Sequence, residues 1–322
     1  MQTIQQEIDE RTNLTSSNKL ELLLFRLGED ANLNRNELFG INVFKIREII
    51  PMPTITAMAG SHPHMMGVVD LRGQIIPVID LPAVTGCTPK TGLNILLITE
   101  YARSTQAFAV ESVEDIVRLD WRQVLSAEGN AAGGMVTSLA RLEGENSDRL
   151  AQVLDVETIL RKVMPPTEPD IDSATIGPQV EIKPGTVILA ADDSLVARTM
   201  IEQGLEAMGL PFIMCKTGKE AWDQLQAISD KAVTEGKTVH DKIALVLTDL
   251  EMPEMDGFTL TRNIKQDQRF SAIPVVIHSS LTGSTNEAHV KKVGADAYVA
   301  KFVAEDLANA LREALREALG KA

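Results

Sequence analysis

TVILAADDSL (186–195) and ALVLTDLEMPEMDG (244–257) are the two stretches that decide the fold of the C-terminal half. Each contains an unbroken apolar run, which is typical of a strand buried on both faces of a parallel sheet. Asp192 and Asp193 follow the first run, and Asp249 follows the second. Functional groups of open parallel sheets lie beyond the carboxyl ends of the strands. We therefore expect these three acids to share one edge if the two strands are neighbours.

Three further apolar runs complete the pattern: PFIMCK (211–216), PVVIHSS (274–280) and AYVAKF (297–302). The stretches between the runs have helical periodicity, as the C-terminal leucines at steps of four residues show. Strand and helix alternate five times, which predicts an α/β fold with a doubly wound, five-stranded parallel sheet.

The predicted strand ends carry complementary chemistry. Two carboxylates about 4 Å apart repel by roughly 4 kcal/mol at an effective dielectric of 20, so Asp192, Asp193 and Asp249 favour a bound cation. Oxygen ligands without histidine or cysteine favour Mg²⁺. Ser279 ends the fourth run and Lys301 the fifth, which adds a hydroxyl and an ammonium. Such a set suits the receipt of a phosphoryl group. The alternative for any single acid is a helix cap.

The chain of 322 residues has room for roughly two domains. A proline-rich stretch without apolar periodicity predicts a linker at 164–184. We expect an N-terminal extension at 1–17, one domain at 18–163 and a second at 185–322. Short apolar runs with close turn signals predict small β barrels or a sandwich in the first domain. A polar stretch at 229–242 is interpreted as a lengthened surface loop.

Composition limits the partners. The formal net charge is −14, which disfavours binding to nucleic acid or to anionic lipid. The longest uncharged stretch, 49–69, contains prolines and glycines and is not expected to insert into a membrane. The polar N-terminus lacks the pattern of a secretory signal, and Cys87 and Cys215 form no CxxC pair. We expect a cytoplasmic protein.

The first half contains no nucleophile, base and orienting group in a catalytic arrangement. Its most informative segment is GVVDLRGQIIPVIDL (67–81), two β runs joined by a turn at Leu71, Arg72 and Gly73. An arginine held at a tight turn has little conformational freedom left to lose, so Arg72 is a candidate anchor for a protein interface.

The second half resembles a two-component receiver domain in its acid pair, its TDLEMPEMDG run, its serine and its GADAYVAK run. The resemblance implies that Asp249 accepts a phosphoryl group from a histidine kinase. It implies that Ser279 and Lys301 contact the phosphoryl oxygens, and that Tyr298 changes rotamer with Ser279 as a switch. The Mg²⁺ ligands that it implies are Asp192, Asp193, Asp249 and the backbone carbonyl of Glu251.

Residues 18–163 resemble the CheW-like coupling domain of bacterial chemotaxis, although Asp70 stands where that family usually has asparagine. The resemblance implies two small five-stranded barrels. One barrel would bind the regulatory domain of the histidine kinase CheA, and a groove near Ile46, Glu48 and Arg72 would meet the receptor tip. A coupling domain followed by a receiver is similar to the CheV-type family. Its implied function is a non-enzymatic adaptor between methyl-accepting receptors and CheA, recruited to membrane receptor arrays and regulated by phosphorylation.

Two alternatives remain for the receiver. It could act as a phosphate sink that drains the kinase, or it could be silent in a constitutive scaffold because Phe302 replaces the usual proline after Lys301. A dehalogenase-like phosphatase is a minor alternative, because Glu251 stands where that class needs a second aspartate. A calcium loop is excluded by Pro253 and Glu254 at ligand positions.

Overall fold

The structure is a computed structural model. It describes residues 19–30, 35–101, 104–127, 134–142, 149–165, Ile176, Val180, and residues 182–280, Val290, 292–301 and 304–320. The chain divides into two compact units, the N-terminal unit within residues 19–167 and the C-terminal unit within residues 168–322. Ile176, Val180 and Ile182, which lie inside the expected linker, pack in the core of the C-terminal unit.

The first sheet of the N-terminal unit has six strands in the order β10-β1-β3-β13-β12-β11. Their bounds are β1 Lys19–Arg26, β3 Leu38–Asn42, β10 Ser112–Asp120, β11 Val124–Ser126, β12 Val136–Arg141 and β13 Leu150–Leu154. Leucines of β1 that alternate along the strand fill the core, together with Trp121 and residues of the facing strands. The short β11 is a sixth strand beyond the five implied by the family resemblance.

The second sheet has five strands in the order β4-β8-β9-β6-β5. Their bounds are β4 Ile46–Pro51, β5 Met65–Leu71, β6 Gln74–Asp80, β8 Ile95–Tyr101 and β9 Ser104–Val110. The segment that follows β4 reaches the opposite outer strand, because Thr56 bridges Val68 of β5 through two backbone hydrogen bonds of 2.9 Å. This contact closes the sheet into a barrel.

Smaller elements lie between and after these strands. Strands β2 Glu29–Asp30 and β7 Cys87–Thr88 form a two-stranded ribbon. Helix α1 Leu81–Thr85 begins at the Asp80 cap, and helix α2 Val156–Val163 begins at the Asp155 cap. Three 3-10 turns lie at Val43–Lys45, Trp121–Gln123 and Val239–Asp241, the last of them in the C-terminal unit.

The C-terminal unit contains a parallel sheet in the order β15-β14-β16-β17-β18. Its strands are β14 Val187–Ala191, β15 Phe212–Cys215, β16 Ile243–Thr248, β17 Val275–Ser279 and β18 Ala297–Ala300. Its helices are α3 Leu195–Ala207, α4 Gly218–Thr234, α5 Gly257–Gln266 and α6 Ala304–Gly320. The α/β prediction is confirmed.

Apolar helix stripes cover both faces of this sheet. Leu205 of α3 and Leu311 of α6 belong to the core on one face, and Leu225 of α4 and Leu260 of α5 belong to the core on the other. Capping residues start three of these helices: Ser194, Thr217 and Asp256 accept hydrogen bonds from backbone N–H groups in the first turns of α3, α4 and α5.

The stretch 229–242 is not only a surface loop. Helix α4 continues through its first residues to Thr234, and Val239 in the following 3-10 turn is buried. Asp241 accepts hydrogen bonds of 2.9 Å from the backbone and side chain of Thr238. The polar composition concealed this order, because one buried apolar residue is too weak a periodic signal.

Gly67 permits the barrel closure, since a Cβ atom at this position would lie 2.1 Å from the carbonyl oxygen of Thr56. We predict that Gly67→Ala lowers the free energy of unfolding of the N-terminal unit by about 3 kcal/mol. The matched control is Gly73→Ala, which also has positive φ but has no atom within 4 Å of the added Cβ; it should cost about 1 kcal/mol.

Urea unfolding can follow this unit alone, because the chain has two tryptophans and each unit contains one of them. In a Trp222→Phe background, Trp121 fluorescence reports the N-terminal unit. Equal losses in the two glycine variants would contradict the role of the Thr56 contact.

Candidate functional site

Parallel pairing of β14 with β16 builds the site. Ala191 stands opposite Thr248 in the register, so the next residues, Asp192 and Asp249, leave the sheet side by side. The backbone N–H of Asp249 donates to the carbonyl of Ala191 at 2.9 Å. The expected convergence of the acids is confirmed by this register.

The three acids form one cluster. Asp192, Asp193 and Asp249 each offer a carboxylate oxygen, and these atoms lie within 4.8 Å of one another. Asp192 and Asp249 are buried, whereas Asp193 is partly exposed. Close, buried carboxylates repel each other strongly because little water screens them. The cluster therefore requires a positive charge.

Lys301 supplies one such charge. Its Nζ lies 2.8 Å from Oδ2 of Asp192 and 3.0 Å from Oδ2 of Asp249, and the lysine is buried. Lys301 follows β18, the outer strand, so its side chain extends along the sheet edge to reach the acids. Removing one member of a buried ion pair leaves an uncompensated charge at a cost of about 3–5 kcal/mol. The ammonium thus offsets part of the repulsion between the two buried acids.

Backbone donors orient the two buried carboxylates. The N–H of Ser194 donates to Oδ1 of Asp192 at 3.0 Å, and the N–H of Leu250 donates to Oδ1 of Asp249 at 2.7 Å. One oxygen of each acid is thereby held by the backbone, and the other faces Lys301. The acids are fixed in a common orientation.

Arg198 is a supporting residue that sequence reasoning missed. Its Nη1 donates to the backbone carbonyls of Asp192 at 2.9 Å and of Asp193 at 2.8 Å. A cation near a helix N-terminus is unfavourable because it opposes the helix dipole. An arginine at the start of α3 therefore indicates that the side chain has a specific partner, and this signal could have been found in the sequence. Arg198 holds the backbone of the acid pair in place.

Gly257 is a second residue that was missed. A Cβ atom here would lie 2.0 Å from the carbonyl oxygen of Asp249, and the Gly257 N–H donates to the carbonyl of Leu250 at 2.9 Å. The start of α5 therefore packs directly on the backbone of Asp249. Only the tertiary packing shows why glycine is required at the end of the MPEMDG run.

The remaining predicted residues surround the cluster. Ser279 ends β17, is fully buried, and accepts a backbone hydrogen bond of 2.9 Å from Lys301. Tyr298 pairs with Ile277 in the β17–β18 register and is partly buried. Glu251 lies two positions after Asp249 in the loop. Their roles toward a metal or a phosphoryl group remain predictions, and Phe302 lies outside the described residues.

The predicted docking residues lie on the five-stranded barrel. Arg72 and Gly73 form its β5–β6 turn, with φ values of 56° and 85° that match a two-residue hairpin turn. Arg72 Nη2 lies 2.7 Å from Oε1 of Glu48, although 72% of the arginine side chain is exposed. Ile46 begins the same strand as Glu48. Exposed ion pairs contribute little stability, so this pair presents Arg72 rather than stabilising the fold.

The chain thus combines a β unit built on a six-stranded and a five-stranded sheet with a parallel α/β unit that carries an acid and lysine cluster at its sheet edge. Residues 21–164 match the family model of the CheW-like domain, and residues 188–313 match that of the response regulator receiver domain. The protein combines a coupling domain with a receiver domain.

Relatives match most of the chain. Chemotaxis protein CheV3 of Helicobacter pylori is 30% identical over 88% of this chain and 91% of its own length. Chemotaxis protein CheV2 of the same organism is 29% identical over 92% of this chain and 94% of its own length. The chain belongs to the CheV family of chemotaxis proteins, which are signalling adaptors.

A solved structure matches part of the chain. The scaffolding protein TtCheW of Thermoanaerobacter tengcongensis aligns with 44% of this chain and 92% of its own chain, at 22% identity and a TM-score of 0.38.

No helix within the described residues is both long enough and apolar enough to span a membrane.

The residues fit the Mg²⁺ that receiver domains typically bind. The available ligand atoms are the oxygens of three carboxylates. Together with the Lys301 ammonium, these carboxylates give the cluster a formal charge of −2. A hard divalent cation would neutralise this excess without needing nitrogen or sulfur ligands. The cluster thus meets the charge and ligand requirements of a magnesium site.

His278 gives the C-terminal unit a testable pH dependence. Burial, with a further contribution from the charge of Lys301, lowers the pKa of His278 to about 3. An unfolded histidine has a pKa of about 6.5, so between these values the unfolded state binds a proton that the folded state does not. Proton binding to His278 in the unfolded state therefore does not reduce the stability of the C-terminal unit above pH 6.5. It reduces that stability progressively as the pH falls from 6.5 toward 3.

We predict that native protein loses about 1.4 kcal/mol per pH unit relative to His278→Gln between about pH 6 and pH 4. Urea unfolding in a Trp121→Phe background, with Trp222 as the reporter of the C-terminal unit, measures the difference. Carboxylates that titrate in the same range cancel in the comparison. Parallel pH profiles for the two proteins would contradict the lowered pKa.

Proposed function

We propose that the protein is an adaptor that couples methyl-accepting chemoreceptors to the histidine kinase CheA, and that phosphorylation of Asp249 regulates this coupling. Residues 18–163 would form the coupling domain and residues 185–322 the receiver, joined by the linker 164–184. The observation that carries the proposal is the cluster of three acids around Lys301. The match to both domain families over one chain supports it.

The cluster has the components of a phosphoryl acceptor. The Asp249 carboxylate would attack the phosphorus of a phosphohistidine, forming an O–P bond while the N–P bond breaks and the imidazole takes up a proton. When bound by Asp192, Asp193, Asp249 and the carbonyl of Glu251, Mg²⁺ would neutralise charge on the phosphoryl oxygens. Because the backbone already holds one oxygen of Asp249, the carboxylate needs little reorientation.

Lys301 would exchange partners during this reaction. Its ammonium now contacts Asp192 and Asp249, and a phosphoryl group on Asp249 would offer a more negative acceptor at the same place. Ser279 would donate to a second phosphoryl oxygen, and Tyr298 would change rotamer with it. These new contacts are the differential interactions that a two-state switch requires.

The position of Lys301 counts against a silent receiver. That alternative depends on Phe302 displacing the lysine, yet the Lys301 ammonium lies within 3.0 Å of both buried acids. The contact of Lys301 with both acids therefore supports a receiver that accepts a phosphoryl group. A phosphate sink would use the same site and differs only in what the N-terminal unit does afterwards.

Protein interfaces would carry the coupling. We propose that Ile46, Glu48 and Arg72 contribute to a surface that meets the receptor tip, and that a barrel of the same unit binds CheA. Its hairpin turn and its ion pair with Glu48 orient Arg72 while leaving the guanidinium exposed. Such contacts would recruit the protein to membrane receptor arrays.

We predict that Asp249→Asn abolishes phosphorylation, because the amide cannot act as the nucleophile. Incubation with phosphorylated CheA and Mg²⁺ should label the native protein, and the variant should retain less than about 1% of the label. Asp223→Asn, an exposed acid on α4, is the matched control and should label normally. Label retained by Asp249→Asn would remove the site assignment.

We predict that Arg72→Ala weakens recovery of the protein with receptor or CheA about tenfold in pull-downs, as expected for the loss of an interface anchor. Arg122→Ala is the matched control, because 78% of that arginine side chain is exposed. Arg122 lies in the 3-10 turn between β10 and β11, away from the five-stranded sheet that carries Arg72. Phosphorylation of Asp249 should be unchanged in both variants.

Equal recovery of the Arg72 and Arg122 variants would mean that the interface lies elsewhere. Label that disappears rapidly from Asp249 while receptor coupling stays constant would favour the phosphate sink over the regulated adaptor.

A further inference from the structure

Part of the linker is bound to the C-terminal unit. Ile176 is 1% exposed and belongs to the core cluster that α3 and α6 form on one face of the sheet. Val180 and Ile182 are partly buried against the same cluster. We call Ile176, Val180, Ile182 and Lys183 the strap. Its apolar side chains pack in the core cluster to which α3 and α6 contribute, and we call this packing site the groove between α3 and α6.

Polar contacts hold the strap at both ends. Arg312 of α6 donates from Nη2 to the backbone carbonyl of Ile176. Lys183 forms an ion pair with Asp241, which lies in the stretch 229–242 that the signalling chemistry does not use. The Thr186 hydroxyl donates to the carbonyl of Lys183 at 2.6 Å. The hydrogen bond from Lys183 holds the pKa of Asp241 well below its usual range.

Both walls of the groove begin at the phosphorylation site. Helix α3 starts at Leu195, directly after Asp192, Asp193 and the Ser194 cap. Helix α6 starts at Ala304, three positions after Lys301. A rearrangement of the acids and the lysine would therefore shift the first residues of the two helices against which the strap packs.

The net free energy that holds the strap in place is small. Docking buries one isoleucine fully and two side chains partly, and it must offset the conformational entropy that the ordered residues lose. Such a contact responds to a modest change in helix position, because packed interfaces lose contacts steeply when they separate. Ile176 is already buried, so there is little scope for tighter docking.

We propose that the groove between α3 and α6 is an interaction surface for the strap of the same chain, and that phosphorylation of Asp249 releases the strap. This inference rests on the proposed function, since it needs a modified Asp249. The docked strap is the state of the unmodified protein, and its release is the output of the receiver.

Release would change the chain length that connects the two units. Ile176 stands eleven positions after Pro165, whereas Thr186 stands twenty-one positions after it. At about 3.6 Å per residue, the connecting chain can span at most about 40 Å with the strap docked and about 75 Å with it released. A longer connection lowers the effective concentration of one unit at the other, which alters any competition between the receiver and a coupling partner.

Thiol accessibility tests the proposal in the full chain. The Ile176→Cys variant places a reactive thiol in the strap, and the native cysteines give a low background because both are buried and burial raises their pKa values. Val233→Cys serves as the exposed reference, since Val233 is 69% exposed on α4. The reagent is a small aromatic disulfide, and the phosphodonors are acetyl phosphate and phosphorylated CheA, each with Mg²⁺.

We expect the Ile176→Cys thiol to react at least about 100-fold more slowly than the Val233→Cys thiol in unmodified protein. Phosphorylation should accelerate it at least about tenfold and leave the reference unchanged. Adding Asp249→Asn should remove the acceleration, and adding Arg312→Ala should accelerate the reaction without a phosphodonor.

The intact mass measured in the same samples separates the two ways of failing. Phosphorylated protein whose Ile176→Cys thiol stays slow would overturn the strap proposal and leave the proposed function standing. Absence of phosphorylation with both donors would overturn the proposed function and, with it, the release of the strap. A thiol that is as fast as the reference in unmodified protein would show that the strap is not docked.

Discussion

Repulsion among three closely placed acids is the constraint on which the C-terminal unit depends. The pairing of β14 with β16 brings Asp192 and Asp249 together, and the sheet cannot keep both buried without a positive charge. Lys301 provides that charge from the outer strand. Three carboxylates and one ammonium leave a formal charge of −2, which suits a divalent cation.

The surrounding structure keeps the acids in position and connects them to the rest of the unit. Arg198 and Gly257 fix the backbone on both sides of the cluster, one by hydrogen bonds and the other by close packing. Helices α3 and α6 carry the constraint away from the sheet edge to the groove in which Ile176 lies. The N-terminal unit follows a different principle. Its second sheet closes through a glycine that lets two backbones approach, and the closed barrel presents Arg72 at a rigid turn.

Local patterns predicted much of this organisation. Unbroken apolar runs identified all five strands of the parallel sheet, and acids at two strand ends located the cluster. The patterns failed where order depends on few apolar residues. Ile176 stands in a proline-rich stretch interpreted as a linker, and Val239 stands in a polar stretch interpreted as a loop, yet both are buried. A single apolar side chain gives no periodicity, so only its tertiary neighbours show that it belongs to a core.

Residue patterns along the chain predicted the element order of the parallel sheet, the acids, the lysine and the serine of the site, and the two families that the halves resemble. They did so because strand burial and helix amphipathicity are written in short, repeated patterns. The tertiary structure alone decided the pairing of β14 with β16, the contact of Lys301 with both buried acids, the sixth strand of the first sheet, and the docking of the strap. These features join residues that are far apart along the chain. A local sequence pattern does not show which distant surfaces will pack against each other.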